Sequence, residues 1–527
     1  MTRDFHAPGR SQVYATGGMV ATSHPLASLT AVEIMRAGGT AADAAVAAMA
    51  VACIGEPHMT GIGGDCFCLV ARPGQPIWGY NGSGRTGAAM RPELLIGQGL
   101  KDVATESPHA VTVPGAIEAW DTILKTHGRF GLDRVLQPAI EAAESGIAVQ
   151  PRVAFDWSLA VEKLSRHAAT AKHLLVDGRA PKAGDIVRFP ALARTLRILA
   201  KDGARAFYEG EIADDIVATL KSLGGVQAAK DFAAHRGDEV TPISTNYRGL
   251  EVVELPPNGQ GLAALVLLNI LERFDMGALD ANGTERLHLL IEAGRLAYGM
   301  RNTNIADPAF MTETADALLD RGFAAKLAGM IDRTRRSQFP KAIKPIGSTV
   351  LVCVVDKDRN AVTMINSLFS AFGSGIATEK TGILLHHRGS GFNLTPGHPN
   401  CIGPSKRPLH TIIPALALRD GRVDMAFGVM GGAYQAMGHA HFISNVVDHG
   451  MDLQTAIDRP RVFFEGERVE VENGVSDDVM RAMRAMGHDV ARRKLPHGGG
   501  QAIRIDWDRG VLIGASDPRK DGLALGY

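Results

Sequence analysis

The chain has 527 residues, 45% of them hydrophobic, and its 56 lysines and arginines are matched by 56 aspartates and glutamates. That balance gives no bulk field for nucleic acid or an anionic membrane and leaves only a local basic patch for either. No repeat, charge block, low-complexity tract or Pro/Ser-rich linker divides the sequence, so a length prior of roughly 150 residues per domain overcounts.

Residues 1–10 carry no apolar h-region, and the longest apolar helical stretch, 44–54, is too short to span a bilayer, so the expected location is cytoplasmic. In chain order, 19–23 reads as a short strand and 27–37 as a helix ending at Gly38-Gly39. Thr40 with Asp43 is a capping-box signature for the Ala-rich helix that follows. A strand over 66–71 comes next, then a helix from Pro114 through Trp120, a mostly helical region over 129–234, and amphipathic helices over 262–274 and 287–300. The run Val350-Leu351-Val352-Cys353-Val354-Val355, a turn over 356–360 and a strand over 361–369 read as a hairpin in the core. Cys53, Cys66, Cys68, Cys353 and Cys401 are odd in number and sit mostly in apolar runs, which predicts reduced core thiols rather than a disulfide framework.

Thr349 stands between Gly347-Ser348 and that apolar run. By itself this is an ordinary loop-to-strand junction. Cutting between Ser348 and Thr349 changes its chemistry, because the residue then carries a hydroxyl and a free α-amine. An α-amine titrates near ~7.7 to 8.0 and can accept the hydroxyl proton close to neutral pH. The β-branch holds Oγ near one direction.

The stretch from Ser348 to Val362, followed by Phe372-Gly373-Ser374-Gly375-Ile376, resembles the start of the small subunit of the γ-glutamyltransferases, N-terminal-nucleophile (Ntn) hydrolases that cut themselves before a threonine. The likeness continues in Gly38-Gly39-Thr40-Ala41-Ala42-Asp43, Gly61-Ile62-Gly63-Gly64-Asp65, Val113-Pro114-Gly115, Ala306-Asp307-Pro308, Lys406-Arg407-Pro408-Leu409, Met430-Gly431-Gly432 and Gly514-Ala515-Ser516-Asp517-Pro518-Arg519. These fall in order along nearly the whole chain.

The resemblance implies an αββα sandwich built from two pieces of one precursor, residues 1–348 and 349–527, with both contributing strands. It implies Thr349 as nucleophile, Gly431 and Gly432 as oxyanion donors, and Ser367 where the family has a second threonine. It also suggests Arg85 as a clamp for a substrate carboxylate. No cofactor or metal is called for. The expected partners are a small amide substrate and the complementary subunit, and a homo-oligomer of the cut heterodimer is compatible with both.

Three departures concern the substrate. Phe369 stands where γ-glutamyl-specific members carry Asn, Gly391 where they carry the Asp that pairs with the α-ammonium, and His410-Thr411 where they carry Ser-Ser. The combination is more similar to the branch with oxamate amidohydrolase, glutaryl (cephalosporin) acylase-like enzymes and glutathione-hydrolase-like proteins. A γ-glutamyl compound, an oxamate or a glutaryl amide all remain candidates, with hydrolysis preferred over transfer.

Readings from other classes compete. A metallohydrolase built on His386, His387, His439 and His441 has the donor types but no HExxH motif. Residues 356–360 start like a calcium loop without its later ligands, Gly61-Ile62-Gly63-Gly64 is too short for a dinucleotide fingerprint, and no G-x-S-x-G elbow occurs. A processing-dead scaffold predicts one uncut chain.

Overall fold

The computed structural model describes residues 9–337 and 348–527; Gly347, which precedes the expected cut, lies outside them. Two seven-stranded sheets, antiparallel throughout, stack at the centre. One runs in the order Leu523–Gly526, Met19–Thr22, Ser348–Val355, Ala361–Phe369, Asp65–Ala71, Trp78–Asn81 and Asp238–Val240. The other runs Val13–Ala15, Val511–Ser516, Gly499–Asp506, Arg422–Met430, Ala415–Arg419, Leu250–Glu254 and Ile243–Tyr247. Both sheets mix strands from before and after Ser348, so neither piece could close its own core.

Helices cover the outer faces. Pro25–Arg36 and Ala41–Gly55 pack on the first sheet, and Gly261–Leu271, Thr284–Asn304 and Tyr434–Val447 lie on the side of the second. The result is the expected four-layer αββα sandwich. The capping box forms as read: Thr40 Oγ1 accepts from the Asp43 amide while Asp43 accepts from the Thr40 amide at 2.7 Å. Asp43 also takes the amides of Arg129 and Phe130, tying the helix start to the next layer.

One expectation is corrected. Gly261–Leu271 is not amphipathic but buried along its whole length, and Thr284–Asn304 is nearly so. A helix pressed between a sheet and other helices has no solvent face to make polar. The region 129–234 is helical as expected, broken by the short strands Ile147–Ala148 and Ile186–Val187. All five cysteines are free and buried.

A register shift positions the chemistry. Ser348 pairs with Phe369 and Val350 with Asn366, so Ser367 and Leu368 together oppose Thr349. Such a bulge re-aims side chains locally. On the next strand, Ser367 pairs with Asp65. Thr349, Ser367 and Asp65 thus form one row across three neighbouring strands.

Candidate active site

The row begins with a buried hydroxyl pair, Thr349 Oγ1 and Ser367 Oγ, 3.2 Å apart. Ser367 Oγ also accepts from the Phe369 amide at 2.9 Å and from Arg388 Nη2 at 3.2 Å. Gln435 Nε2 approaches Thr349 Oγ1 to 3.4 Å, and its own Oε1 is held by the Ile413 amide. Phe369 sits at φ 84°, a strained backbone for an aromatic residue and a common mark of a functional turn.

Arg388 is fully buried. Its Nη1 donates to Thr411 Oγ1 at 2.9 Å, its guanidinium carbon lies 4.1 Å from the Phe369 ring centroid, and its Nε has no partner. Burial pushes this guanidinium down to about 9, against the pull of Asp65. Burial alone would raise the Asp65 carboxyl, but His386, His410 and Arg388 together hold it below the usual carboxylate range. Asp65 accepts from His410 Nε2 at 3.0 Å and from the amides of Gly84 and Gly115. The Ile412 amide donates to His410 Nδ1, so both ring nitrogens suit the neutral form, and burial pushes this histidine down to about 3.

The oxyanion candidates lie where Arg422–Met430 turns into Tyr434–Val447. Gly431 and Gly432 adopt φ 127° and 60°, which a side chain would resist. Gln260 Nε2 clamps the turn by donating to Gly432 O at 2.9 Å and to Thr411 O at 2.8 Å. Among the described residues, neither glycine amide donates a hydrogen bond. Both precede a helix N-terminus, which adds positive potential where an oxyanion forms.

A cleft of about 600 Å³ beside this cluster is lined by Phe369, Gly391, Phe392, Thr411 and Arg301 among others. A larger hollow of about 740 Å³, reached by Glu211 and Thr381, contains none of these groups. Gly391 is sterically committed, since a Cβ there would stand 2.7 Å from Leu409 O. His410 does not line the cleft but lies behind it, tilted on Phe67 and bonded to Asp65. Arg85 stands apart: its side chain is 38% exposed and its Nη2 faces Asp238 at 3.5 Å.

The four histidines of the metallohydrolase reading do not converge. His386 bonds to Thr112 O at 2.9 Å, and His387 lies between Ser370 and Ser390. His439 pairs with Glu254 at 2.7 Å, while His441 is buried elsewhere on the same helix and pushed well down by that burial. Among the described residues, the one His/Cys/Asp/Glu group tight enough to hold a metal is His288, Glu292 and His488, where the two imidazoles bond to each other at 2.8 Å.

Three residues of the cluster were not singled out from the sequence. Asp65 closes a motif there without a stated role. Gln435 follows Gly431-Gly432 by three positions, which puts it in the first turn of the next helix and was a readable signal. Arg388 adjoins the His386-His387 pair and left no signal of its own.

The gamma-glutamyltranspeptidase family model matches residues 27–527. The chain is 37% identical to the glutathione hydrolase-like YwrD proenzyme of Bacillus subtilis, covering 98% of this chain and 99% of that one. It is 35% identical to the oxamate amidohydrolase proenzyme of Klebsiella pneumoniae, over 97% of this chain and 99% of that one. The crystal structure of cephalosporin acylase from Bacillus halodurans superposes with a TM-score of 0.94 at 36% identity, covering 100% and 99% of the two chains. The chain belongs to the gamma-glutamyltranspeptidase family.

Proposed function

We propose that this protein is a self-cutting Ntn amidohydrolase that hydrolyses a small amide whose acyl group carries a carboxylate, with Thr349 as its nucleophile. The observation that carries the reading is the Thr349–Ser367 hydroxyl pair at 3.2 Å, at the start of a core strand and beside the Gly431-Gly432 turn. The relatives named as proenzymes support the same maturation.

In maturation, Thr349 Oγ attacks the Ser348 carbonyl carbon, the C–N bond breaks, and the peptide becomes an ester that frees the Thr349 amine. Water opens the ester, leaving the Ser348 carboxylate and the threonine hydroxyl. In turnover, the amine takes the hydroxyl proton as Oγ adds to the substrate carbonyl. The oxyanion is met by the Gly431 and Gly432 amides. The proton passes to the leaving nitrogen as the C–N bond breaks, and water hydrolyses the acyl-enzyme by the reverse sequence. Arg388 beside Ser367 adds positive potential, which favours both the neutral amine and the oxyanion.

Gly391 argues against a γ-glutamyl head as the preferred acyl group. A carboxylate side chain there would have to displace Leu409 O, so the α-ammonium has no counter-ion at that position. Intact mass spectrometry and N-terminal sequencing of wild type and Thr349→Ala test the proposal. The wild type is expected as two fragments, the second starting at Thr349, with amidase activity; an active uncut chain would overturn it.

A further inference from the structure

We infer that Arg388 is the receptor for the substrate carboxylate, and that its place beside the nucleophile selects a short acyl chain, such as a two- or three-carbon dicarboxylic monoamide. This rests on the amidohydrolase reading above and names its substrate class.

A guanidinium has five N–H donors. At Arg388 the described partners are the Thr411 hydroxyl at Nη1, the Ser367 hydroxyl at Nη2 and the face of Phe369. Nε is buried without a partner. No carboxylate among the described residues bonds directly to this cation, because Asp65 spends its oxygens on His410 and two backbone amides. The Nε–Nη2 edge therefore still offers a fork that matches a carboxylate bidentately.

Distance then sets length. Nη2 and Thr349 Oγ1 are each 3.2 Å from the same oxygen, Ser367 Oγ, so receptor and nucleophile are at most two hydrogen-bond lengths apart. A carboxylate on the fork and a carbonyl carbon on Oγ1 can then be near neighbours in one molecule. In an oxamate the two carbons are bonded directly, and in a malonamate one methylene separates them. A glutaryl or γ-glutamyl group puts three carbons between the two, more than this spacing calls for. Access follows from maturation, since Ser348 pairs with Phe369 in the uncut ladder and scission releases it from the residue whose ring covers Arg388.

The test uses the cut wild-type enzyme with oxamate, malonamate, succinamate, glutaramate and L-glutamine. kcat/KM is expected to fall about tenfold or more from the shortest members to glutaramate. Arg388→Met is expected to lose roughly 100-fold or more on the short carboxylates, far more than on their methyl esters, with partial rescue by Arg388→Lys. A preference for glutaramate or glutamine, or equal losses on acid and ester, would overturn the inference. Calorimetry of oxalate, malonate, succinate and glutarate with wild type gives a readout independent of whether Arg388→Met cuts itself. The shorter diacids are expected to bind more tightly, and tightest binding by glutarate overturns the assignment. Absence of turnover on every amide counts against the amidohydrolase reading instead, and diacid binding still decides the role of Arg388.

Discussion

Two buried arginine clusters in this protein make opposite use of the same charge. Near the C-terminus, Arg461 pairs with Asp517, and Arg519 bonds to Glu472 at 2.6 Å and to Asp517 at 3.2 Å. Asp517 further accepts the Gly500 amide, so the circuit closes on itself. Arg388 is as deeply buried, yet its direct contacts are hydroxyls and a ring, and Asp65 acts on it without a direct bond. Burying a charge is costly unless it is paired. A closed circuit needs nothing from outside, whereas a cation without its carboxylate has a place for a ligand's. The missing counter-ion, not burial, separates the two.

The sharpest break in the comparison is at Thr349, the proposed nucleophile. Thr349→Ala removes the attacking oxygen for cutting and for turnover, so one chain of 55.9 kDa should persist. Activity should fall at least roughly 10⁴-fold, as read by electrophoresis and a continuous amidase assay. Next, the two arginines should dissociate stability from activity. Arg461→Met leaves Asp517 short of its partner and is expected to cost about 3 to 5 kcal/mol in chemical denaturation. Arg388→Met orphans no directly bonded carboxylate and should stay within about 1 kcal/mol of wild type, while its loss appears in kcat/KM.

The clusters should also separate along the pH axis. His410 titrates near 6.5 when unfolded but only near about 3 in the fold. Below 6.5 the unfolded chain therefore binds a proton that the folded chain refuses, and stability falls as pH drops from 6.5 toward 3. Asp517 is held below its ordinary 3.8 by Arg461 and Arg519 against the effect of burial, so its contribution is present above 3.8 and is lost only as pH falls further. His410→Asn should flatten the stability profile by up to about 1.4 kcal/mol per pH unit between 6.5 and 4. Asp517→Asn should lower stability across that whole window and change the slope only below it. Melting curves across pH 3 to 7 on both variants check the order. The smallest effect is expected at Arg85, whose half-exposed pair with Asp238 is solvent-screened. Arg85→Gln should change stability by less than about 1 kcal/mol and kcat/KM by no more than about threefold. A large loss on carboxylate substrates would return the clamp to Arg85.

What was legible in the chain follows from range. The capping box at Thr40 and Asp43 and the turn between Ser348–Val355 and Ala361–Phe369 depend on residues a few positions apart, and both formed as read. Gly261–Leu271 was recognisable as a helix, but its burial on all sides depends on neighbours distant in sequence. His410 and Thr411 are adjacent in the chain, yet one lies behind the wall of the cleft and the other lines it.

By itself the sequence determined the family, the αββα class and the threonine at a core strand's start, because ordered motifs and local hydrophobic patterning survive without coordinates. Only the tertiary structure decided that Ser367 and Asp65 share a row with Thr349, since a one-residue bulge sets that register. It likewise turned Arg85 toward Asp238 and brought Arg388 to the Thr349–Ser367 hydroxyl pair. The destination of a long cationic side chain depends on which carboxylates, hydroxyls and rings the fold gathers around it, and no local pattern in the chain encodes that.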